Sequence, residues 1–340
     1  MDMAALRKKA REDMKGYCRV CPVCDGRACA GEVPGMGGAG YGASFWANLT
    51  ALAAWRLNMR TIHAVRQADT TLSLFGQNLS MPILAAPMTG VAYNMGGKLS
   101  EDAFIDIVLE GAQAAGTMGM SGDGADPAMY AGGIAAIAAR GGKGIPFVKP
   151  RAQQDVLARF RDAEKAGAVA VGMDVDGAGL ITMALKGQPV SPKSFMELKE
   201  LAASTNLPFI VKGIMTPDEA QLAVDAGASA IVVSNHGGRV LDHAPGAAEV
   251  LPAIAAKVKT RTVILADGGV RSGADVLKLL ALGANAVLVG RPVAVGAFGG
   301  GAEGVAMLLN KMKGELVSAM LLTGTSSVTE VSADILSMKA

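Results

Sequence analysis

From residue 82 onward the chain alternates short apolar runs with amphipathic stretches. The runs fall at 82–87 (PILAAP), 116–121 (GTMGMS), 144–149 (GIPFVK), 168–175 (AVAVGMDV), 209–213 (FIVKG), 230–234 (AIVVS), 262–266 (TVILA) and 286–290 (AVLVG). Short continuous apolar runs predict strands buried on both faces. Between most of them, stretches such as SEDAFIDIVLEGAQAA, DVLARFRDAEKAG, TPDEAQLAVDAG and SGADVLKLLALG are helix-like. AGA or LGA just before a strand marks a helix that ends on a left-handed glycine. Eight such units demand a parallel sheet, and eight is the number that closes a (β/α)8 (TIM) barrel. A doubly wound sheet is the structural alternative. Upstream, SFWANLTALAAWRLNM has helical periodicity, with Ser44 as a plausible N-cap. The expected organisation is an N-terminal Cys- and Gly-rich extension over 1–43 and a barrel over 44–340.

Composition narrows the partners. The 340 residues carry a formal net charge of +2, which gives no reason to expect nucleic acid or an acidic membrane. The uncharged stretches 33–55 and 70–97 contain several Gly, Asn, Pro or Gln, so neither reads as a membrane span. The start, MDMAALRKKAREDMKGY, is charged and lacks the apolar core of a signal peptide, so a cytoplasmic location is the expectation. All four cysteines lie in CRVCPVCDGRAC, as Cys18, Cys21, Cys24 and Cys29, spaced C-x2-C-x2-C-x4-C. Such a cluster suits metal ligands better than disulfides. Three cysteines in consecutive x2 spacing favour an iron–sulfur cluster over zinc, whose pairs are usually well separated. Unmetallated thiols or disulfides remain the other reading.

Barrel active sites sit where strands end. Those ends supply Pro87, Ser121, Lys149, Asp174 and Asp176, Lys212, His236 and Arg239, Asp267, and Arg291. Lys149, Asp174 and Lys212 lie inside or directly after apolar strands, where solvated loop ends do not account for them. The chain has three histidines, and one stands in SNHGGR at the end of the sixth run. An imidazole can be neutral near pH 7, and a guanidinium fork fixes a planar carboxylate. His63 and His243 carry no expected role: His63 follows a helix and is expected at the surface, and His243 lies in the loop after SNHGGR, with a place at the edge of the site as the lesser alternative. After the seventh and eighth runs, Gly268, Gly269, Gly290 and Arg291 offer amides and a cation to a phosphate.

Three segments carry a resemblance: SNHGGRVLDHAP, LADGGVRSGADVLKLLALGANAVLVGRPV and VKGIMTPDEAQLAVDAGASAIVVSNHGG. They are similar to the FMN-dependent α-hydroxy-acid oxidase/dehydrogenase family, over roughly residues 44–310. The resemblance implies FMN as cofactor and oxidation of a small 2-hydroxy acid of the lactate or glycolate type. It makes His236 the base, Arg239 the carboxylate clamp and Asp176 the aspartate that orients the histidine. Lys212 matches the lysine near the flavin N1–C2 carbonyl. Asp267, Gly268, Gly269, Arg271, Gly290 and Arg291 match ribityl- and phosphate-binding positions. Pro87, Met88, Thr89, Ser121 and Ser234 match further flavin contacts. A homotetramer is also implied.

Departures from the family pattern concern the substrate side. Phe147 and Lys149 fall about where the family has a flavin-contacting glutamine and a substrate tyrosine. No second carboxylate-binding arginine follows Asp176. GEVPGMGGAG replaces an aromatic-rich N-terminal segment. Asp174 replaces a threonine and is expected to accept the flavin N3–H. Lys149 is expected to replace the lost carboxylate partner as a point charge. With the substrate side so altered, an electron-transfer or sensing flavoprotein is the alternative function, and an isomerase on a phosphorylated substrate, like the type 2 isopentenyl diphosphate isomerases, is a weaker one. A cluster on the cysteines would favour an electron-carrier protein over dioxygen as acceptor.

Overall fold

The computed structural model describes residues 2–338. Eight parallel strands close one barrel: β1 (Ile83–Met88), β2 (Gly119–Ser121), β3 (Ile145–Val148), β4 (Val171–Asp174), β5 (Phe209–Ile214), β6 (Ala230–Val233), β7 (Val263–Ala266) and β8 (Ala286–Val289). Each strand pairs with its sequence neighbours, and β8 closes on β1. Strand side chains alternate between two cores. Leu84, Met120, Ile145, Phe147, Ile210, Val232, Leu265 and Leu288 fill the barrel interior. Ile83, Val171, Val211, Ile231, Ile264 and Val287 face the surrounding helices. Phe147 therefore lies inside the barrel, fully buried, and Gly172 opposite it leaves room for the ring.

The outer layer includes α1 (Met3–Asp13), α2 (Ala43–Ala54), α3 (Glu101–Ala114), α4 (Pro127–Ala139), α5 (Gln153–Lys165), α6 (Phe195–Ala203), α7 (Pro217–Asp225), α8 (Ala247–Val258), α9 (Gly273–Ala281) and α10 (Arg291–Thr323). Side-chain caps set several starts, including Ser100, Asp126 and Thr216. Ser194 and Ser272 form complete capping boxes with Glu197 and Asp275. The long apolar segment α10 breaks at Gly300 and Gly301 and packs against α1 and α3.

Three expectations need correction. Ser44 is not a cap: α2 starts after Gly42, and the Ser44 hydroxyl accepts from Ala244 N at 2.7 Å and donates to Leu241 O at 2.8 Å. The same helix stops at Ala54, because Trp55–Leu57 pairs antiparallel with Leu336–Met338. His63 is half-buried, with Nε2 2.9 Å from Leu321 O. Residues 1–43, set apart by sequence, share the barrel's core where described: Leu6, Ala10 and Met14 of the first helical segment are fully buried.

Candidate active site

The C-terminal ends of the strands open into a cavity of about 1070 Å3, measured out to its mouth. Residues from all eight strand ends reach it or its immediate surroundings. At its floor, Lys149 at the end of β3 donates to Asp174 Oδ2 at 2.6 Å, and Lys212 Nζ lies 3.2 Å from Asp174 Oδ1. Register explains the second pair, since Asp174 sits directly beside Lys212 across β4 and β5. All three side chains are buried. Burial alone would raise the Asp174 carboxyl, but Lys149 and then Lys212 hold it well below the usual carboxylate range. Lys212, opposed by its own burial, is held above its ordinary value by Asp174, Asp176 and Asp267.

The second constellation is His236 with Asp176. Their Nδ1 and Oδ1 atoms are 2.9 Å apart. An ionised Asp176 accepts there, so Nδ1 carries the proton and Nε2 remains the basic nitrogen. Burial lowers the His236 pKa below 6.5, and Lys212 and Lys149 lower it further, against the pull of Asp176. The imidazole is therefore neutral near pH 7. His236, Gly237 and Gly238 are all left-handed, with φ of 58°, 64° and 76°. That run, pinned by Ser234 Oγ accepting from His236 N at 3.1 Å, turns the chain sharply after β6. Gly213 makes room for the partner: its φ is +106°, and a Cβ there would lie 2.7 Å from Asp176 Cγ.

Three guanidinium groups gather at the mouth. Arg239 donates through Nη1 to the Gly35 and Gly37 carbonyls, and through Nη2 to Asn94 Oδ1 at 3.0 Å. An arginine has five N–H donors. Three are thus engaged, leaving one on Nε and one on Nη2 for a ligand. Arg291 donates to Met36 O at 2.7 Å, Gly37 O at 2.9 Å and Gly237 O at 3.1 Å. Arg271 donates to its neighbour Val270 O and to Cys24 Sγ at 3.4 Å. Among the described residues none of the three has a carboxylate partner. Buried atoms without partners lie close by: Ser121 Oγ, Asp267 Oδ1 and Arg271 Nε. A concave site with uncompensated cations and unanswered polar atoms suits a large polar anion.

Residues 35–182 and 183–338 match the FMN-dependent dehydrogenase family. The chain belongs to that family. L-lactate oxidase of Lacticaseibacillus rhamnosus is 32% identical over 346 residues, covering 89% of this chain and 90% of that one. A 2-hydroxyacid oxidase of Dictyostelium discoideum is 49% identical over 140 residues, which is 41% of this chain and 36% of the oxidase. The crystal structure of mandelate oxidase with (S)-2-phenylpropionate superposes with a TM-score of 0.78 at 31% identity, covering 99% of this chain and 97% of that one. This FMN-dependent dehydrogenase is accordingly a flavoprotein oxidoreductase acting on 2-hydroxy acids, and the unanswered atoms and cations at the barrel mouth fit FMN.

Most sequence-predicted positions line this one cavity: Pro87, Met88, Thr89, Lys149, Asp174, Lys212, His236, Arg239, Asp267, Gly268, Gly269, Arg271, Gly290 and Arg291. Ser121, Asp176 and Ser234 stand directly behind it, Asp176 through His236 and Ser234 under the turn. Two expected roles change. Lys149 is buried and paired with Asp174, so it is not a free partner for a substrate carboxylate. Asp174 faces ammonium groups on both oxygens and is not poised to receive a flavin N–H. His243 is exposed to solvent at 73% and does not line the cavity.

Residues that sequence reasoning missed complete the walls. Tyr93 lines the cavity, and its phenol is pushed up to about 12 by burial and then by Glu101, so it is neutral. Asn94 joins Arg239 to the N-terminal segment by also accepting from Gly35 N at 3.2 Å. Asp123 is fully buried and grips Arg151 through Nε at 2.8 Å and Nη2 at 3.2 Å. The ligand atoms of Asp174, Asp176 and His236 also lie within 4.8 Å of one another. With two lysines already compensating Asp174, this trio is an ion-pair network and not a metal centre.

Proposed function

We propose that the chain oxidises a small 2-hydroxy acid to the 2-oxo acid, with His236 as base and Arg239 as carboxylate clamp. The observation that carries the assignment is the 2.9 Å pair between His236 Nδ1 and Asp176 Oδ1 in a wall of the same cavity that Arg239 lines. FMN, when bound, supplies the acceptor of the two electrons released.

The protein's part is binding and proton chemistry. Arg239 takes the substrate carboxylate on its two uncommitted N–H groups, which fixes the α-carbon relative to His236. Neutral His236 receives a proton at Nε2 as the substrate is oxidised. Asp176 holds the ring and stabilises the imidazolium that results. Lys212, kept cationic by its three carboxylates, sets a positive charge at the cavity floor where negative charge would build on the reduced cofactor. Pro87, Met88, Thr89, Ser121, Ser234, Asp267 and the glycine amides at 268, 269 and 290 would hold FMN, with Arg271 and Arg291 toward its phosphate. Tyr93, a neutral phenol in the cavity wall, would donate to a bound carboxylate in place of the tyrosine absent from β3. Met36 and Leu180, which also line the cavity, favour a short aliphatic substituent over a bulky one.

The test is anaerobic mixing of the FMN-loaded protein with L-lactate, glycolate and mandelate. Loss of the visible flavin band with the first two is expected. A flavin that stays oxidised with every 2-hydroxy acid would leave electron transfer or sensing as the function.

A further inference from the structure

We propose that Cys18, Cys21, Cys24 and Cys29 bind one [4Fe–4S] cluster at the mouth of the barrel, beside the arginines that line the cavity. The four thiols are the chain's complete set, all half-buried and none in a disulfide. Between Cys18 and Cys29 the backbone makes only a three-residue helical turn, so these residues hold their shape by other means. Arg7 and Arg11, on the first helix, donate to the carbonyls of Arg19, Val20 and Cys21. Val20 is buried with a left-handed φ of 45°, a conformation a β-branched residue seldom takes, and its N–H points at Cys18 Sγ at 3.4 Å. Gly26 lies against the Phe45 ring, which in turn stacks under Arg291 at 4.1 Å. The loop is built and anchored, with the Cys18 and Cys24 sulfurs turned toward donors and Cys29 Sγ toward the Gly26 carbonyl.

The sulfurs are set wider apart than a single zinc ion needs. Four thiolates on a single zinc sit at about 2.3 Å from it, which puts them about 3.8 Å from one another. No three of these sulfurs come within 4.8 Å of one another. A cubane, by contrast, binds each thiolate at its own iron corner and needs a wider set. Charge agrees with the assignment. Arg271 donates to Cys24 Sγ at 3.4 Å, and Arg291 lies over the Phe45 ring that Gly26 of the cysteine loop packs against. A cluster with four thiolates is a net anion, which this cationic wall favours.

The position gives the cluster work to do. Oxidation of one 2-hydroxy acid releases two electrons and two protons. A cluster of this kind carries one electron at a time, so two successive transfers to an oxidised one-electron carrier protein clear each turnover. This consequence rests on the proposed activity, whereas cluster binding does not.

The test uses the full chain purified without air, then treated with ferrous iron and sulfide. About four irons and four sulfides per chain are expected, with a paramagnetic signal on reduction by dithionite. Cys18→Ser and Cys24→Ser should each lose that signal while keeping FMN. One zinc per chain, no iron after reconstitution of the wild-type chain, or full iron retained when all four cysteines are replaced by serine would each overturn the proposal. None of these readouts depends on whether a 2-hydroxy acid is oxidised.

Discussion

Replacing Lys149 with methionine should both loosen the barrel floor and shift the titration of the base. Lys149 Nζ lies 2.6 Å from Asp174 Oδ2. At an effective dielectric constant of 20, that separation corresponds to a gross attraction of about 6 kcal/mol. Desolvation of both ions offsets much of it, and breaking a buried pair by removing one partner costs about 3–5 kcal/mol. Asp174 keeps Lys212 at 3.2 Å, so the low end applies, about 3 kcal/mol. For a chain of 340 residues that is a fall in Tm of about 4 °C.

The same change acts on His236. Lys149 is one of the two cations that lower its pKa, so Lys149→Met raises it. A base works only when neutral, so the acid limb of the pH profile for flavin reduction must move to higher pH. Stability responds in the same sense. A carboxylate held below its ordinary pKa contributes stability fully above that ordinary value, and loses it as pH falls through the folded value. Without Lys149 the folded value of Asp174 rises, and acid unfolding begins at higher pH. The assays are thermal unfolding of the FMN-loaded protein, acid titration of its fluorescence, and stopped-flow reduction across pH. An unchanged acid limb together with a Tm within about 1 °C of wild type would refute the account of this network.

His236→Gln should keep FMN yet slow flavin reduction by at least ~10²-fold, measured by stopped flow; wild-type rates would remove it from the mechanism. Arg239→Lys should raise KM by roughly tenfold or more, because a point charge cannot replace two N–H groups on one carboxylate; steady-state kinetics decide it. Gly213→Ala should lower kcat with little change in KM, since the +106° backbone and a Cβ 2.7 Å from Asp176 Cγ displace the residue that orients the base. Equal kcat in that variant would show that Asp176 tolerates movement.

The barrel was legible because its signals are local. Each strand is a short apolar run, each helix a periodic stretch, and their count alone selects a closed sheet. Trp55–Leu57 was not legible, because its strand exists only through Leu336–Met338 at the other end of the chain. Site positions could be read off strand ends by topology, but partnerships could not. Lys149 faced the cavity on either reading. Only the register that sets Asp174 beside Lys212, with β3 alongside, turns it from a substrate contact into an ion-pair partner. Tyr93 and Asn94 sit in a one-turn helix, Val91–Asn94, after β1 with no motif around them. The one available hint was a tyrosine directly after a strand end, in a chain with four.

The glycine-rich segment after the cysteines shows the deeper reason. In the structure a Cβ at Gly37 would overlap the Cys29 carbonyl, and one at Gly40 would lie 2.5 Å from Asp242 Oδ2. Glycine is required there by close approach. That approach brings the carbonyls of Gly35, Met36 and Gly37 onto Arg239 and Arg291 at once. One short strap therefore orients both the guanidinium proposed for the substrate and the one proposed for the phosphate. Buried guanidinium groups without carboxylates need carbonyl acceptors to stay ordered before their anions arrive. A strap made largely of glycine supplies them while leaving two Arg239 donors open. The N-terminal segment is thus part of the active site's construction, and the cysteines that precede it are tied to the same arginines through Cys24 and Arg271.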